Sequence, residues 1–412
     1  MRSSRDEPLM RPAIAARPKV MPVRPALLLT YTDALEGFRG YLAIDSLDSP
    51  LVAGGFRVQP GLTADRIASL ARTMTLKQQI AGLNVGGAKS GIDYDPAATG
   101  KRAAVMRFMT AIRPYLASLY SMGPDLNTRY SELDEAARTV GLTSIKGAIA
   151  PAQGLTTVDL EHRLAVLDEL VAGNTLGQQR AGHGVAAAVT ATLDILGSQA
   201  KDASIAVHGF GALGGAAACR LAQQGARITG LADQGGAVLQ PSGFSADALF
   251  ASMKGARLPA GPIMHMGRPD RLFDEVADVL VLAAKEDSLT PMQAERVRCR
   301  AVICGANLAL SVPVETILHR RGIVVVPDFI AGCGGSLAMD SLFGPTTVPS
   351  ASSVLRHIDQ RMRAIVEVTL KRARQTGAMP RDIALAQCAA FKADLLEAPY
   401  GHHISLTDTH HA

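Results

Sequence analysis

Two α/β domains, the second a doubly wound sheet, with C-terminal helices packing back on the first, are the fold that three observations predict. The 412 residues are 48% hydrophobic and only 19% charged, enough apolar surface for more than one core. From about Asn174 to Met339 short apolar runs (Ser204 to Val207, Arg227 to Leu231, Val279 to Leu282, Ala301 to Ile303, Ile323 to Val326) alternate with helical ones, the pattern of a parallel sheet. The first of these runs leads directly into Gly209-Phe210-Gly211-Ala212-Leu213-Gly214 and then a small-residue helix, Gly215 to Gln224.

In chain order, residues 1–25 hold Arg2, Arg5, Arg11, Arg17, Lys19 and Arg24 against Asp6 and Glu7, so six minus two gives +4 of the chain's +5. Five prolines (Pro8, Pro12, Pro18, Pro22, Pro25) fix dihedrals and remove donors, which predicts an extended, flexible basic arm. Residues 26–155 mix strand-like pieces such as Tyr41 to Ile44 with helical ones such as Thr63 to Met74, punctuated by expected glycine loops at Gly54-Gly55 and Gly86-Gly87. Val105, Phe108, Met109 and Ile112 lie at helical spacing there and read as core or a subunit contact. Residues 156–345 form the second domain, and 346–400 carry two helices, Val354 to Arg374 and Arg381 to Leu396. In the tail, 401–412, His402, His403, His410 and His411 read as a frayed end rather than a metal site.

Composition excludes several classes. The longest run free of Asp, Glu, Lys and Arg, Ala203 to Cys219, contains a histidine and four glycines, so no membrane-spanning helix is expected. With the positive charge confined to the arm, the folded body offers no basic face for nucleic acid. Five cysteines (Cys219, Cys299, Cys304, Cys333, Cys388) are odd in number and lack CxxC spacing, which argues against a disulfide framework or zinc and for a reducing cytoplasm. Cys333, in an apolar glycine loop, reads as an inert core residue.

The strand-loop-helix context makes the glycine run a dinucleotide site. Gly209 permits the tight turn, Gly211 lets the backbone approach a pyrophosphate, Gly214 allows close helix packing, and Phe210, Ala212 and Leu213 complete the cradle at a helix N-terminus. Asp233 ends the next strand 24 residues after Gly209, where a carboxylate accepts from ribose hydroxyls, and no Lys or Arg occurs from Gln234 to Met253 to receive a 2′-phosphate. NAD is therefore favoured over NADP. Lys77 and Lys89, twelve residues apart in an apolar and glycine-rich stretch, are candidate bases if burial and like charge lower their pKa values, or else surface lysines with covered stems.

Seven ordered motifs then give the chain a family resemblance: Gly54-Gly55-Phe56-Arg57, the segment Asn84 to Gly91 with Lys77 before it, Gly123-Pro124-Asp125-Leu126-Asn127-Thr128, Gly182-His183-Gly184-Val185, the nucleotide loop, Gly305-Ala306-Asn307, and Arg321-Gly322 with Pro327-Asp328. From about Ala34 to Phe343 the chain resembles the glutamate/leucine/phenylalanine/valine dehydrogenases, and Ala81 to Gly87 resembles the leucine and phenylalanine branch. The resemblance implies that Lys77 holds the substrate α-carboxylate, that Lys89 activates water, and that Asp125 relays protons at the amine. It also implies cofactor contacts at Ala181, Ala284 and Asn307, substrate contacts at Ala53, Gly54, Gly55, Ser336 and Met339, and a homo-oligomer, from dimer to octamer, built through the first domain.

The implied reaction is reversible NAD-linked oxidative deamination of an L-amino acid to its 2-oxo acid and ammonia. Ala53 stands where the glutamate-specific branch has a lysine, so an apolar or aromatic side chain is expected. Two polar positions near the nicotinamide are lost, a threonine at Ala181 and an asparagine at Gly332. Those losses keep two rivals open, a reductase of imines formed with other amines and a non-catalytic nucleotide-binding paralogue.

Overall fold

The computed structural model describes residues 24–255, 257–260 and 264–401; the basic arm up to residue 23 and the histidines of the tail lie outside them. The first sheet contains β1 (Leu27–Thr32), β2 (Arg39–Ile44), β3 (Val52–Val58), β4 (Gly86–Ile92) and β5 (Tyr120–Pro124), in the spatial order β1-β2-β4-β3-β5. β3 runs parallel to both β4 and β5, whereas β2 is antiparallel to β4. On one face helix α2 (Lys101–Ser118) buries Val105, Phe108, Met109 and Ile112 against Phe56, Tyr120 and Met122. Burial of side chains this large contributes about 1.5–3 kcal/mol each. Among the described residues the helical spacing of those four is thus a core stripe.

On the other face lies α1 (Ala64–Ala81), started by Thr63, whose side chain accepts from Arg66 N–H, and stopped by Gly82 in the left-handed region at φ 75°. It extends past the expected end at Met74 and so carries Lys77 in its last turns. A Cβ on Gly87 would lie 2.2 Å from Thr75 N, so a glycine lets the helix press onto β4. Gly54-Gly55 and Gly86-Gly87, expected as loops, are strand residues of β3 and β4. The glycines there serve close approach of backbone and side chains rather than turning.

A short hairpin, β6 (Leu170–Val171) and β7 (Asn174–Thr175), leads into the long helix Leu176–Ile195. The second sheet follows with β8 (Ser204–His208), β9 (Arg227–Asp233), β10 (Gly236–Leu239), β11 (Met264–Gly267), β12 (Val279–Leu282), β13 (Ala301–Cys304) and β14 (Val324–Val326). Its order is β11-β10-β9-β8-β12-β13-β14, parallel from β9 to β14 and antiparallel at the β10-β11 edge. The order reverses between β8 and β12, the switch point where doubly wound sheets bind ligands.

Of the C-terminal helices, expected to pack on the first domain, Ala351–Thr376 lies instead mainly along the helix Leu176–Ile195, with Arg374 donating to Ile195 O at 2.7 Å, and reaches α1 where Arg361 donates to Ala81 O at 3.0 Å; Pro380–Ala390 returns to α1, with Cys388 Sγ 3.6 Å from Leu76 O. The last helix stops at Ala390 rather than the expected Leu396. Asn84 Nδ2 takes the carbonyls of Asp394 (2.7 Å) and Glu397 (2.8 Å), which draws the chain out of helical geometry. No described helix is long and apolar enough to cross a membrane.

Candidate active site

On β5, Tyr120 and Met122 point into the core, so Ser121, Gly123 and Asp125 occupy the opposite face. Parallel register sets Ala53 beside Ser121 and Gly55 beside Gly123, and Arg57 follows two residues on. Lys89 of β4 reaches into the same bay. A Cβ on Gly55 would stand 2.8 Å from Asp125 Cβ and 3.1 Å from Lys89 Nζ, so the glycine is what lets those two meet.

They meet as an ion pair, Lys89 Nζ to Asp125 Oδ2 at 2.8 Å, and Arg57 Nε donates to the same oxygen at 2.8 Å. Burial raises the Asp125 pKa, but the Lys89 ammonium and the Arg57 guanidinium outweigh it and hold the carboxyl well below the usual carboxylate range. Burial lowers the Lys89 pKa; Asp125 opposes this and Arg57 adds to it. Thr128 Oγ1 accepts from Asp125 N–H at 3.0 Å, and Asn127 adopts φ 61°, turning the chain after Asp125.

The cluster continues across the cleft. Arg57 donates to Glu286 Oε1 at 2.9 Å, and Arg66 also pairs with Glu286, which lies in the loop after β12. Neither Arg57 nor Glu286 stood out as a site residue in the sequence. The signal for Arg57 was present: it lies two positions beyond Gly55, hence on the same strand face. Glu286 had none.

Lys77 Nζ donates to Asn307 Oδ1 at 2.5 Å. A Cβ on Gly332 would be 2.7 Å from that Nζ and 2.6 Å from Asp328 O, so the missing side chain at 332 is the space the lysine occupies. Asp328 holds the adjoining loop, accepting from Leu308 N–H at 2.8 Å while Leu308 sits at φ 52°, and pairing with Arg381 at 3.1 Å. Burial lowers the Lys77 pKa, with Asp328 opposing and Lys89 adding to the effect. Both lysines are buried, so the reading of surface lysines with covered stems is overturned.

At the switch point Gly209 adopts φ 107°, and a Cβ on it would strike Ala284 N at 2.3 Å. Gly214 abuts Gly209 O, where a Cβ would be 2.0 Å away, while one on Gly211 would meet nothing within 4 Å. The helix Ala212–Gln223 begins before the expected Gly215 and starts without a side-chain cap, leaving its first amides free for an anion. Phe210 is buried, with its N–H on Ala232 O at 2.8 Å. Asp233 ends β9, and its Oδ1 accepts from Gly235 N–H at 2.7 Å. These residues fit a dinucleotide: an open loop, free amides and a carboxylate at the end of the next strand.

Ser336 and Met339 lie on the helix Gly334–Phe343, with Met339 in the buried cluster against which Ala53 packs. Ser336 is half-buried and its N–H donates to Cys333 O at 2.8 Å. Ala181 lies where this helix meets Leu176–Ile195: a Cβ on Gly334 would be 3.2 Å from Ala181 O. Cys333 is fully buried, and burial pushes its thiol up to about 12, in keeping with a core residue.

Residues 173–393 match the profile of Glutamate/Leucine/Phenylalanine/Valine dehydrogenase, and residues 28–141 that of the Glu/Leu/Phe/Val dehydrogenase dimerisation domain. The chain is 30% identical over 319 residues to the glutamate dehydrogenase of Thermotoga maritima, covering 73% of this chain and 71% of that protein. It is 29% identical over 311 residues to NADP-specific glutamate dehydrogenase A1 of Halobacterium salinarum, covering 73% of this chain and 71% of that one. Among solved structures, the hetero-hexameric glutamate dehydrogenase from Thermus thermophilus in its Leu-bound form superposes with a TM-score of 0.71 at 28% identity, covering 88% of this chain and 87% of that one.

Proposed function

The chain belongs to the glutamate/leucine/phenylalanine/valine dehydrogenase family and is an NAD(P)-dependent oxidoreductase acting on an amino acid CH–NH2 group; from that premise we propose that its buried Lys89–Asp125 pair carries out reversible oxidative deamination. An L-amino acid, NAD⁺ and water give the 2-oxo acid, ammonium, NADH and a proton. The observation that carries this reading is the shared Asp125 oxygen, 2.8 Å from Lys89 Nζ and at the end of a bay cleared by glycine. A nicotinamide bound at the glycine loop supplies the hydride acceptor.

Lys77 exchanges its neutral partner Asn307 for the substrate α-carboxylate, a stronger acceptor for an ammonium. Asp125 takes a proton from the substrate ammonium and returns it to the leaving nitrogen, while Lys89 stays neutral. Lys89 Nζ then draws a proton from the water that attacks the iminium carbon. Arg57 keeps Asp125 oriented, and its second bond, to Glu286, ties that orientation to closure of the cleft.

The apolar or aromatic side chain expected from Ala53 finds no support in relatives named glutamate dehydrogenases. NAD is the cofactor Asp233 favours, while relatives are named NADP-specific as well as NAD-specific. Replacing Asp233 by serine is expected to shift the NAD/NADP ratio of kcat/KM by about 10-fold or more toward NADP, the size of one lost hydrogen bond to a charged group. An unchanged ratio removes Asp233 from the ribose site. A homo-oligomer assembled through the first domain is part of the proposal, supported by the match to a dimerisation domain.

The reaction is tested by following NADH with a panel of L-amino acids, and in reverse with 2-oxo acids plus ammonium. Turnover that needs ammonium supports deamination. Turnover only with other amines favours the imine reductase, and silence in both directions with measurable NADH binding favours the non-catalytic paralogue.

A further inference from the structure

Beyond Ala53 the bay ends at a cation that the reaction leaves unused, Lys146. Lys146 follows a loop pinned by Asp134, whose Oδ1 accepts from Ser144 Oγ at 2.6 Å and Ile145 N–H at 3.1 Å. The lysine is buried. Its Nζ donates to Ser121 Oγ at 3.2 Å and stands 3.7 Å from where a Cβ on Gly123 would be. Ser121 and Gly123 share the Asp125 face of β5 and pair with Ala53 and Gly55. The ammonium therefore sits on the floor of the same bay, at the end away from Asp125, with one hydroxyl for three donor hydrogens.

Arg180, early in the helix Leu176–Ile195, is close enough for its charge to act on Lys146. Its guanidinium donates to Gly177 O at 2.5 Å and leaves a buried Nε without an acceptor. Among the described residues neither cation is in an ion pair. Asp134 attracts Lys146 but is engaged by Ser144, Ile145 and Arg138, the last at 2.9 Å. Tyr130, near Arg180, contributes a hydroxyl rather than a charge at neutral pH. Burial, with Arg180 adding to it, drives Lys146 down to about 7. Two neighbouring cations without a counter-ion cost stability unless an anion arrives.

We propose that Lys146 and Arg180 form an anion subsite that receives a carboxylate at the end of the substrate side chain, so that the enzyme deaminates an acidic L-amino acid. This rests on the deamination reading and deepens it. Ala53, Gly55, Ser121 and Gly123 are small, so neither β3 nor β5 places a bulky side chain between the reacting end at Lys89 and Asp125 and the anion end at Lys146. Ala53 is then not the mark of an apolar pocket. It leaves room for a side chain whose charge is met from the neighbouring strand.

Two measurements test it on the full chain with NADH or NAD bound. The first is thermal shift with glutarate against valerate, a dicarboxylate and a monocarboxylate of equal length, at pH 6 and pH 9. Glutarate is expected to stabilise the protein at pH 6, where Lys146 is protonated, to bind about 10-fold more weakly at pH 9, and to lose its advantage over valerate in Lys146→Met. The second is the ratio of kcat/KM for L-glutamate over L-norvaline and for L-aspartate over L-2-aminobutyrate, which separates the two chain lengths. At least one ratio is expected to exceed one in the wild type and to fall about 30-fold in Lys146→Met, with a smaller fall in Arg180→Met. Equal shifts for both acids, or ratios untouched in a folded Lys146→Met, overturn the subsite while leaving deamination standing. A Lys146-dependent glutarate shift without any turnover upholds the subsite and sinks the deamination reading.

Discussion

Lys89→Met is expected to lower kcat for oxidative deamination by about 10³-fold, within the range removed with a positioned acid–base group, while the melting temperature and NADH affinity change little. Methionine fills nearly the same volume, and Asp125 keeps its Arg57 partner at 2.8 Å, so no buried carboxylate is stranded. The wild-type pH profile carries the same argument. Burial lowers the Lys89 pKa, and the base works only when neutral, so kcat/KM rises with pH through an inflection below the ordinary lysine value. Methionine at 89 removes that limb. Activity within 10-fold of wild type, or an unaltered limb, means that another group takes the proton.

How much of this was legible depended on the kind of residue. Repeating apolar runs exposed the second sheet because parallel strands are buried on both faces and leave an unbroken signature. The Gly209 loop was legible because its three glycines each meet a different backbone demand. The first sheet was harder. Gly54-Gly55 and Gly86-Gly87 read as loops because glycine's commonest use is turning, and nothing local reveals that Ala88 O, Asp125 and Thr75 press on them from distant parts of the chain.

The site divides in the same way. Lys77, Lys89 and Asp125 were found through motif order, and their burial was not readable from spacing. Lys146 and Arg180 carry no signal in the sequence: Ile145-Lys146-Gly147 shows no pattern, and the place of Lys146 arises from its contact with Ser121, which the register sets beside Ala53. The substrate class read from Ala53 suffered from this. Ala53 alone does not show that its cross-strand neighbour Ser121 accepts from the buried Lys146 Nζ at 3.2 Å. Gly332 gives the reverse lesson: a polar group lost in sequence is a space filled by Lys77 Nζ in the fold.

Gly54→Ala should be the most damaging single methyl in the first domain. The register runs Val52 to Gly86 and Ala53 to Gly87, then resumes at Phe56 with Ser90, and in the gap a Cβ on Gly54 would lie 1.6 Å from Ala88 O and 2.6 Å from Ala88 C. Those are backbone atoms of a paired central strand, so relief requires β3 and β4 to part. Ordinary overpacking costs about 1–3 kcal/mol, and this geometry belongs above that range, on the order of 4–5 kcal/mol, against a typical total of about 5–15. Loss of soluble protein or a collapse in melting temperature is the expected result. The adjacent Gly55→Ala separates folding from chemistry, because its Cβ would meet Asp125 Cβ at 2.8 Å and the movable end of Lys89 at 3.1 Å. That variant should fold with a modest loss of stability and lose about 10²-fold in kcat, since a displacement near 1 Å of a reacting group costs about that much. A Gly54→Ala protein that melts like wild type would deny the close approach of β3 and β4, and a fully active Gly55→Ala would deny that this contact sets the distance between Lys89 and Asp125.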